Sequence, residues 1–161
     1  MARILIIAGG TRGRALALGL VADGHAVRIT AREEARREAI EATGAQFWIG
    51  TPDRIATLRY ALDGVTVACW LLGTASGSPE ALAALHGSRL EFFINQTIDT
   101  TVRGLVYEAA GTADAAALTT GRELITERAA YNAIPLAVLD ADPRDLDTWT
   151  LQARAAIDGL L

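Results

Sequence analysis

Short apolar runs alternate along the chain with longer segments in which apolar residues recur every three or four positions. The apolar runs fall at 3–8, 26–30, 46–49, 65–72, 103–107 and 134–139, with the length and composition of buried strands. The helical pattern occupies about 12–23, 33–43, 52–62, 79–98, 120–132 and 143–160. Unbroken strand–helix alternation predicts an α/β fold: a doubly wound, parallel six-stranded sheet with helices on both faces. Right-handed crossovers would order its strands 3-2-1-4-5-6. No repeat, linker or low-complexity tract interrupts the pattern, so residues 1–161 read as one domain.

Capping signals support this segmentation. Thr51-Pro52, Ser78-Pro79 and Asp142-Pro143 each read as an N-cap followed by proline in the first turn. Thr30 with Glu33, and Thr120 with Glu123, have capping-box spacing. Gly24, Gly44 and Gly64 stand just past expected helix ends. Gly87 lies inside the 79–98 segment and is expected to break it in two.

The first strand and helix carry the chemistry. Ile4, Leu5, Ile6 and Ile7 run into Ala8-Gly9-Gly10-Thr11-Arg12-Gly13, and a helical pattern follows. Laid on G-x-G-x-x-G, the chain supplies Ala8, Gly10 and Gly13, with Gly9 in place to make the sharp turn. A glycine turn between a buried strand and a helix N-terminus suits a pyrophosphate, because free N–H groups and the helix dipole face the anion. The simpler reading is a turn that only packs strand on helix.

The segment R-I-L-I-I-A-G-G-T-R-G-R-A-L-A, followed by A-D-G-H-A-V-R at 22–28, resembles the start of NAD(P)-binding atypical short-chain dehydrogenases, the epimerase-like and NmrA-like proteins. The resemblance implies a dinucleotide bound at Gly9, Gly10, Thr11, Arg12 and Gly13. It also places the turn after the fourth strand, at Gly73 and Thr74, beside the nicotinamide ribose. Full-length members of that group add a C-terminal substrate lobe, whereas this chain reads as the nucleotide-binding core alone.

The end of the second strand bears on which nucleotide is bound. NAD-binding versions place an acid there to accept from ribose hydroxyls. Here Thr30 and Arg32 come first and Glu33 only afterwards. Arg12 and Arg32 are expected to clamp a 2′-phosphate, so NADP is favoured over NAD. Asp53 is a candidate for the adenine edge or a helix-start acid. Arg28 is expected to face solvent.

Composition removes several mechanisms. All fifteen basic residues are arginine, and lysine is absent. The Tyr-x-x-x-Lys pair of short-chain dehydrogenases is therefore missing; Tyr60, Tyr107 and Tyr131 are followed four positions on by Gly64, Gly111 and Pro135. Tyr107 and Glu108, at the end of the fifth strand, are the candidates for a substrate-facing acid, base or anchor. His86 reads as exposed or structural, and His25, following Gly24 in a turn, as structural. No spacing suggests a metal site. The single cysteine, Cys69, sits in an apolar run and reads as a buried thiol. A net charge of -4 argues against nucleic-acid binding. No apolar run approaches the ~20 residues of a membrane span, and the direct entry into a strand reads as cytoplasmic.

Two functions fit: an atypical oxidoreductase or isomerase acting on a small molecule, and a non-catalytic NADP(H)-sensing or partner-binding module. A receiver domain would need acids after the first strand and a lysine. A flavodoxin-type FMN loop would be richer in Ser and Thr. Leu82, Leu85, Leu90, Phe92, Phe93 and Ile94 exceed one buried face, so a homodimer through this segment is expected.

Overall fold

The computed structural model describes residues 1–8 and 10–161. Among them, β1 (Arg3–Ile7), β2 (Ala26–Ala31), β3 (Gln46–Ile49), β4 (Val67–Trp70), β5 (Gly104–Glu108) and β6 (Leu136–Leu139) form one sheet in the order β3-β2-β1-β4-β5-β6. Every neighbouring pair is parallel. The expected order is the observed one.

The helices are α1 (Thr11–Ala22), α2 (Arg37–Glu41), α3 (Pro79–Leu85), α4 (Ser88–Thr97), α5 (Ala115–Tyr131) and α6 (Leu146–Asp158). One face of the sheet is covered by α1, α2 and α6, through Leu16, Leu20, Ile40, Trp149 and Ile157. The other is covered by α4, α5 and the segment before β4, through Leu58, Leu62, Phe93, Ile94 and Ile125. Successive residues of one strand therefore enter different cores: Ile4 and Ile6 the first, Leu5 and Ile7 the second.

Punctuation decides the ends. Gly24, Gly44 and Gly64 have φ of 89°, 88° and 69°, the left-handed conformation that ends a helical turn without a Cβ penalty. Ser78 accepts from the Ala81 N–H at 3.1 Å and starts α3, with Pro79 in its first turn. The expected 79–98 helix is split at Gly87, where a Cβ would lie 2.6 Å from the Ala83 carbonyl oxygen.

Three expected starts move. Asp114, not Thr120, caps α5, accepting from the Ala117 N–H, so the helix begins earlier and Thr120 lies within it. Asp145, not Asp142, caps α6; Asp142 instead binds the backbone N–H and guanidinium of Arg144. Thr30 lies in β2, not in a capping box.

The 52–62 segment forms no α-helix. It makes two 3-10 turns, at Ile55–Leu58 and Tyr60–Leu62. The Thr57 hydroxyl donates to the Arg54 carbonyl at 2.6 Å and accepts from the Thr51 N–H at 2.9 Å, so the side chain competes with helical pairing. The 33–43 segment likewise shortens to a 3-10 turn at Glu34–Arg36 followed by α2.

Candidate functional site

The carboxyl ends of β1 and β4 flank the point where the strand order reverses. The glycine turn lies there, between two cavities. Gly9 is outside the described residues. Gly10 is the N-cap of α1 and makes no side-chain cap, so the first N–H groups of a 12-residue helix point outward without one. A Cβ on Gly10 would meet nothing within 4 Å, leaving the approach to those N–H groups open. Gly13 is constrained differently: a Cβ there would stand 2.2 Å from the Ala8 carbonyl oxygen. Only glycine lets α1 come this close to the end of β1.

The first cavity, about 410 Å³, lies on the β2–β3 side; Thr30, Arg32, Glu33, Arg36, Pro52 and Asp53 contribute to its wall. Arg32 makes an exposed 3.0 Å ion pair with Asp53. The second cavity, about 290 Å³, is bounded by Thr11, Arg12, Gly13, Leu71, Thr74 and Trp149. Ala8, Gly10, Leu72 and Ala75 border both, so the two meet across the glycine turn.

Arg12 and Arg32 consequently line different cavities, and they do not form one clamp. The Arg12 guanidinium turns inward. Its Nη1 and Nη2 donate to the two Glu108 oxygens, Nη2 also donates to Thr74 Oγ1 at 2.7 Å, and Cζ lies 4.7 Å from the Trp149 ring centroid. Arg36, unremarked in the sequence, is the cation that shares the first cavity with Arg32. A polar residue one helical turn past a strand end is the signal that would have marked it.

Glu108 is fully buried and borders neither cavity, which corrects its expected role as a substrate-facing acid or base. Besides Arg12, it accepts from the Gly73 N–H at 2.8 Å and from Trp149 Nε1 at 2.7 Å. Four donors on two carboxylate oxygens saturate its acceptor capacity. It ties together the glycine turn, the β4 loop and α6. Gly73 belongs to this packing: a Cβ would lie 2.2 Å from the Ala110 carbonyl oxygen. Thr74 borders the second cavity.

Tyr107 is also fully buried, on the opposite face, which corrects its expected role too. Its hydroxyl lies 2.8 Å from His86 Nδ1, and burial raises its pKa above the ordinary phenol value, with the Glu108 charge adding to the effect. His86 is buried, not exposed, because the break at Gly87 leaves it as the C-cap of α3, turned onto Tyr107. Its Nε2 is 3.3 Å from the Leu72 carbonyl. Desolvation lowers its pKa, against the raising effects of that carbonyl and Glu108. Gly121 makes room for the pair: a Cβ there would be 2.1 Å from the Tyr107 hydroxyl.

Arg28 is the other correction. It is 4% exposed, with Nε donating to Gln46 Oε1 at 2.9 Å and Nη1 to the Ala61 and Asp63 carbonyls. Its guanidinium is held by these acceptors and lies with Cζ 5.3 Å from the Trp48 ring centroid, instead of standing in solvent. Desolvation lowers its pKa, Arg3 adds to this, and Asp63 opposes it.

No group of three or more His, Cys, Asp and Glu side chains able to hold a metal occurs among the described residues. Nor, among them, is any helix long and apolar enough to cross a membrane. Of the six apolar residues expected to over-fill the α3–α4 segment, Leu82, Leu90, Phe93 and Ile94 are buried and only Phe92 is prominently exposed.

No protein-family model and no curated protein sequence matches the chain. Solved structures match it by shape. A Bacillus halodurans protein named as an NAD-dependent epimerase/dehydratase superposes with a TM-score of 0.74 at 12% identity, over 88% of this chain and 71% of the other. The UDP-glucuronic acid 4-epimerase of Bacillus cereus, solved with NAD, gives 0.67 at 13% identity, over 84% and 55%. The triphenylmethane reductase of Citrobacter, complexed with NADP(H), gives 0.62 at 16% identity, over 84% and 48%. The chain thus spans about half the length of the latter two structures. Its fold is the Rossmann-type α/β fold that these NAD(P)-linked epimerases and reductases share.

Proposed function

We propose that the chain binds NADP(H) across the β1–β4 crevice and acts as an oxidoreductase on a small molecule. The observation that carries this is the N-terminus of α1, with outward N–H groups and an open approach at Gly10, set where the two cavities meet. A diphosphate fits that position by charge and by hydrogen-bonding capacity. The similarity to structures solved with NAD and with NADP(H) supports a nicotinamide dinucleotide.

The adenosine half is assigned to the first cavity. There Arg32 and Arg36 supply cations for a 2′-phosphate, and Thr30 and Glu33 supply acceptors for hydroxyl and adenine groups. The nicotinamide half is assigned to the second, where Thr74 offers a hydroxyl to the ribose and Leu71 and Trp149 give apolar walls. When bound, the cofactor supplies hydride chemistry. The protein's part is to anchor the diphosphate at Gly10–Gly13 and to hold Arg12 and the β4 loop in place through Glu108, a positioning residue. Tyr107 is assigned a structural role with His86.

Calorimetric titration with NADPH, NADH and FMN tests this reading. NADPH is expected to bind at least about tenfold tighter than NADH, equivalent to ~1.4 kcal/mol, and the Arg32→Ala/Arg36→Ala double variant is expected to lose the difference. No nucleotide binding would overturn the proposal. NADPH binding with no turnover across a panel of carbonyl and imine substrates would move the reading to a cofactor-sensing module. A homodimer through the face bearing Phe92, 57% exposed, is part of the same proposal; sedimentation showing only monomer would remove it.

A further inference from the structure

A third cavity, about 810 Å³, opens on the α4–α5 side of the sheet toward its amino-terminal edge, away from the glycine turn; its wall includes Arg28, Trp48, Arg59, Tyr60, Asp63 and Asp99. It follows from a local failure of helix formation. The residues between β3 and β4 make only 3-10 turns, so the β2–β3 part of this face has no α-helix laid across it. Arg28, opposite Gln46, and Trp48, opposite Thr30, are diagonal neighbours on β2 and β3 and are left at the hollow.

The floor is prepared for an anion. Arg28 is 4% exposed, and its Nε and Nη1 make all of its hydrogen bonds among the described residues. The second terminal nitrogen, Nη2, has no partner there. No acid bonds the guanidinium directly; its acceptors are the Gln46 amide and two backbone carbonyls. A cation nine-tenths buried with an unused terminal nitrogen is an incomplete site, since Nη2 can donate a charge-assisted hydrogen bond to a carboxylate oxygen. The wall is prepared for a ring. Trp48 is fixed by its Nε1 donating to the Thr57 carbonyl at 2.9 Å, and the Arg28 Cζ lies 5.3 Å from its ring centroid. Tyr60, 70% exposed, stands at the mouth. Arg28 and Arg59 share the wall with Asp63 and Asp99, so the cavity is close to neutral overall, and Arg28 is its buried cation.

The geometry points to a second ligand site here, for a small aromatic carboxylate: the carboxylate on Arg28 and the ring against Trp48 and Tyr60. It does not depend on the dinucleotide reading. Two features of one molecule are required together, a planar apolar body and an anionic end, because the cavity offers an aromatic wall and one buried cation. Acetate has the charge without the ring, and benzyl alcohol the ring without the charge.

The test is titration of the full chain with benzoate, followed by calorimetry and tryptophan fluorescence, with acetate and benzyl alcohol as controls. Benzoate is expected to saturate with a millimolar or tighter Kd and to be at least about fivefold tighter than either control. Arg28→Gln and Tyr60→Ala are each expected to weaken it about fivefold or more. The Tyr60 variant carries the test if Arg28→Gln does not fold, because Tyr60 is exposed. NADPH titration of the Tyr60 variant is expected to match the unmodified chain. No saturable benzoate signal up to about 10 mM, equal binding of benzyl alcohol, or an unchanged Kd in Tyr60→Ala would each overturn the proposal.

Discussion

Two arginine–carboxylate pairs flank the glycine turn, and they differ in nearly every physical respect. Arg12–Glu108 is dry: the side chains are 17% and 0% exposed, and each carboxylate oxygen has two donors. Arg32–Asp53 is wet: the side chains are 70% and 55% exposed, with one 3.0 Å contact. A buried carboxylate cannot lose its partners without leaving charge or N–H groups unsolvated. An exposed pair holds its partners weakly, because water replaces them at little cost. Arg12 is therefore committed to the architecture, whereas Arg32 is available to an incoming anion. Two arginines twenty residues apart thus serve opposite ends.

Removing the dry pair is the severest way to break that contrast. Glu108→Ala strands the Arg12 guanidinium, the Gly73 N–H and the Trp149 indole N–H at once, and is expected to cost about 3–5 kcal/mol. Urea unfolding measures it. Glu108→Gln keeps one carbonyl acceptor but turns an amide NH₂ toward existing donors, so its loss is expected to be smaller and still clear. A Glu108→Gln variant as stable as the original chain would show that the network is not what holds Arg12.

Gly13→Ala comes next. Its methyl would meet the Ala8 carbonyl oxygen at 2.2 Å, on backbone at both sides, so α1 must shift from β1. Overpacking of this kind costs about 1–3 kcal/mol. Because the shift moves the helix N-terminus, NADPH affinity is expected to fall along with stability. Gly10→Ala is the control within the same turn. Its methyl meets nothing, so the fold is expected to persist while the diphosphate approach narrows.

The His86–Tyr107 pair sharpens the comparison through pH. The folded-state pKa of His86 lies below its unfolded value of about 6.5, so the unfolded chain binds more protons as pH drops. Its contribution is present above about pH 6.5 and is lost as pH falls through the folded pKa. Tyr107 works in the other direction. Its folded pKa is raised, so its contribution is present below about pH 10 and is lost as pH rises through the folded value. Stability measured across pH is expected to decline at both ends, and His86→Gln is expected to flatten the acid side. An unchanged acid slope in that variant would assign the decline to carboxylates instead.

The sheet was legible because each of its determinants is local: apolar runs of strand length, left-handed glycines at 24, 44 and 64, and Ser78-Pro79 at the start of α3. The glycine turn was legible for the same reason. What escaped depends on partners distant in the chain. Glu108 reads as a strand-end acid until Arg12, 96 residues away, is placed against it. Arg28 reads as an outward position until the Gln46 amide and the Ala61 and Asp63 carbonyls are placed against it. His86 reads as either exposed or structural until Gly87 ends α3 and turns it onto Tyr107, which decides for the structural reading. In each case a polar side chain sits where burial demands a partner, and neither hydrophobic periodicity nor capping chemistry names one.

The smallest effect on stability belongs to the wet pair. Arg32→Ala removes one screened contact and is expected to change unfolding free energy by less than about 0.5 kcal/mol. Its effect on NADPH binding is expected to exceed its effect on folding, because a 2′-phosphate would meet Arg32 where Asp53 now does, with Arg36 as the second cation of the same cavity. Asp53→Asn isolates the competition. Releasing Arg32 from its only ion pair among the described residues frees the guanidinium, so NADPH binding is expected to tighten and NADH binding to stay nearly level. Raising salt should shrink that gain, since the competing contact and the phosphate contact are both exposed and both screened. If Asp53→Asn instead weakens both nucleotides equally, Asp53 serves the part they share, the adenosine, and the choice between them lies with Arg36.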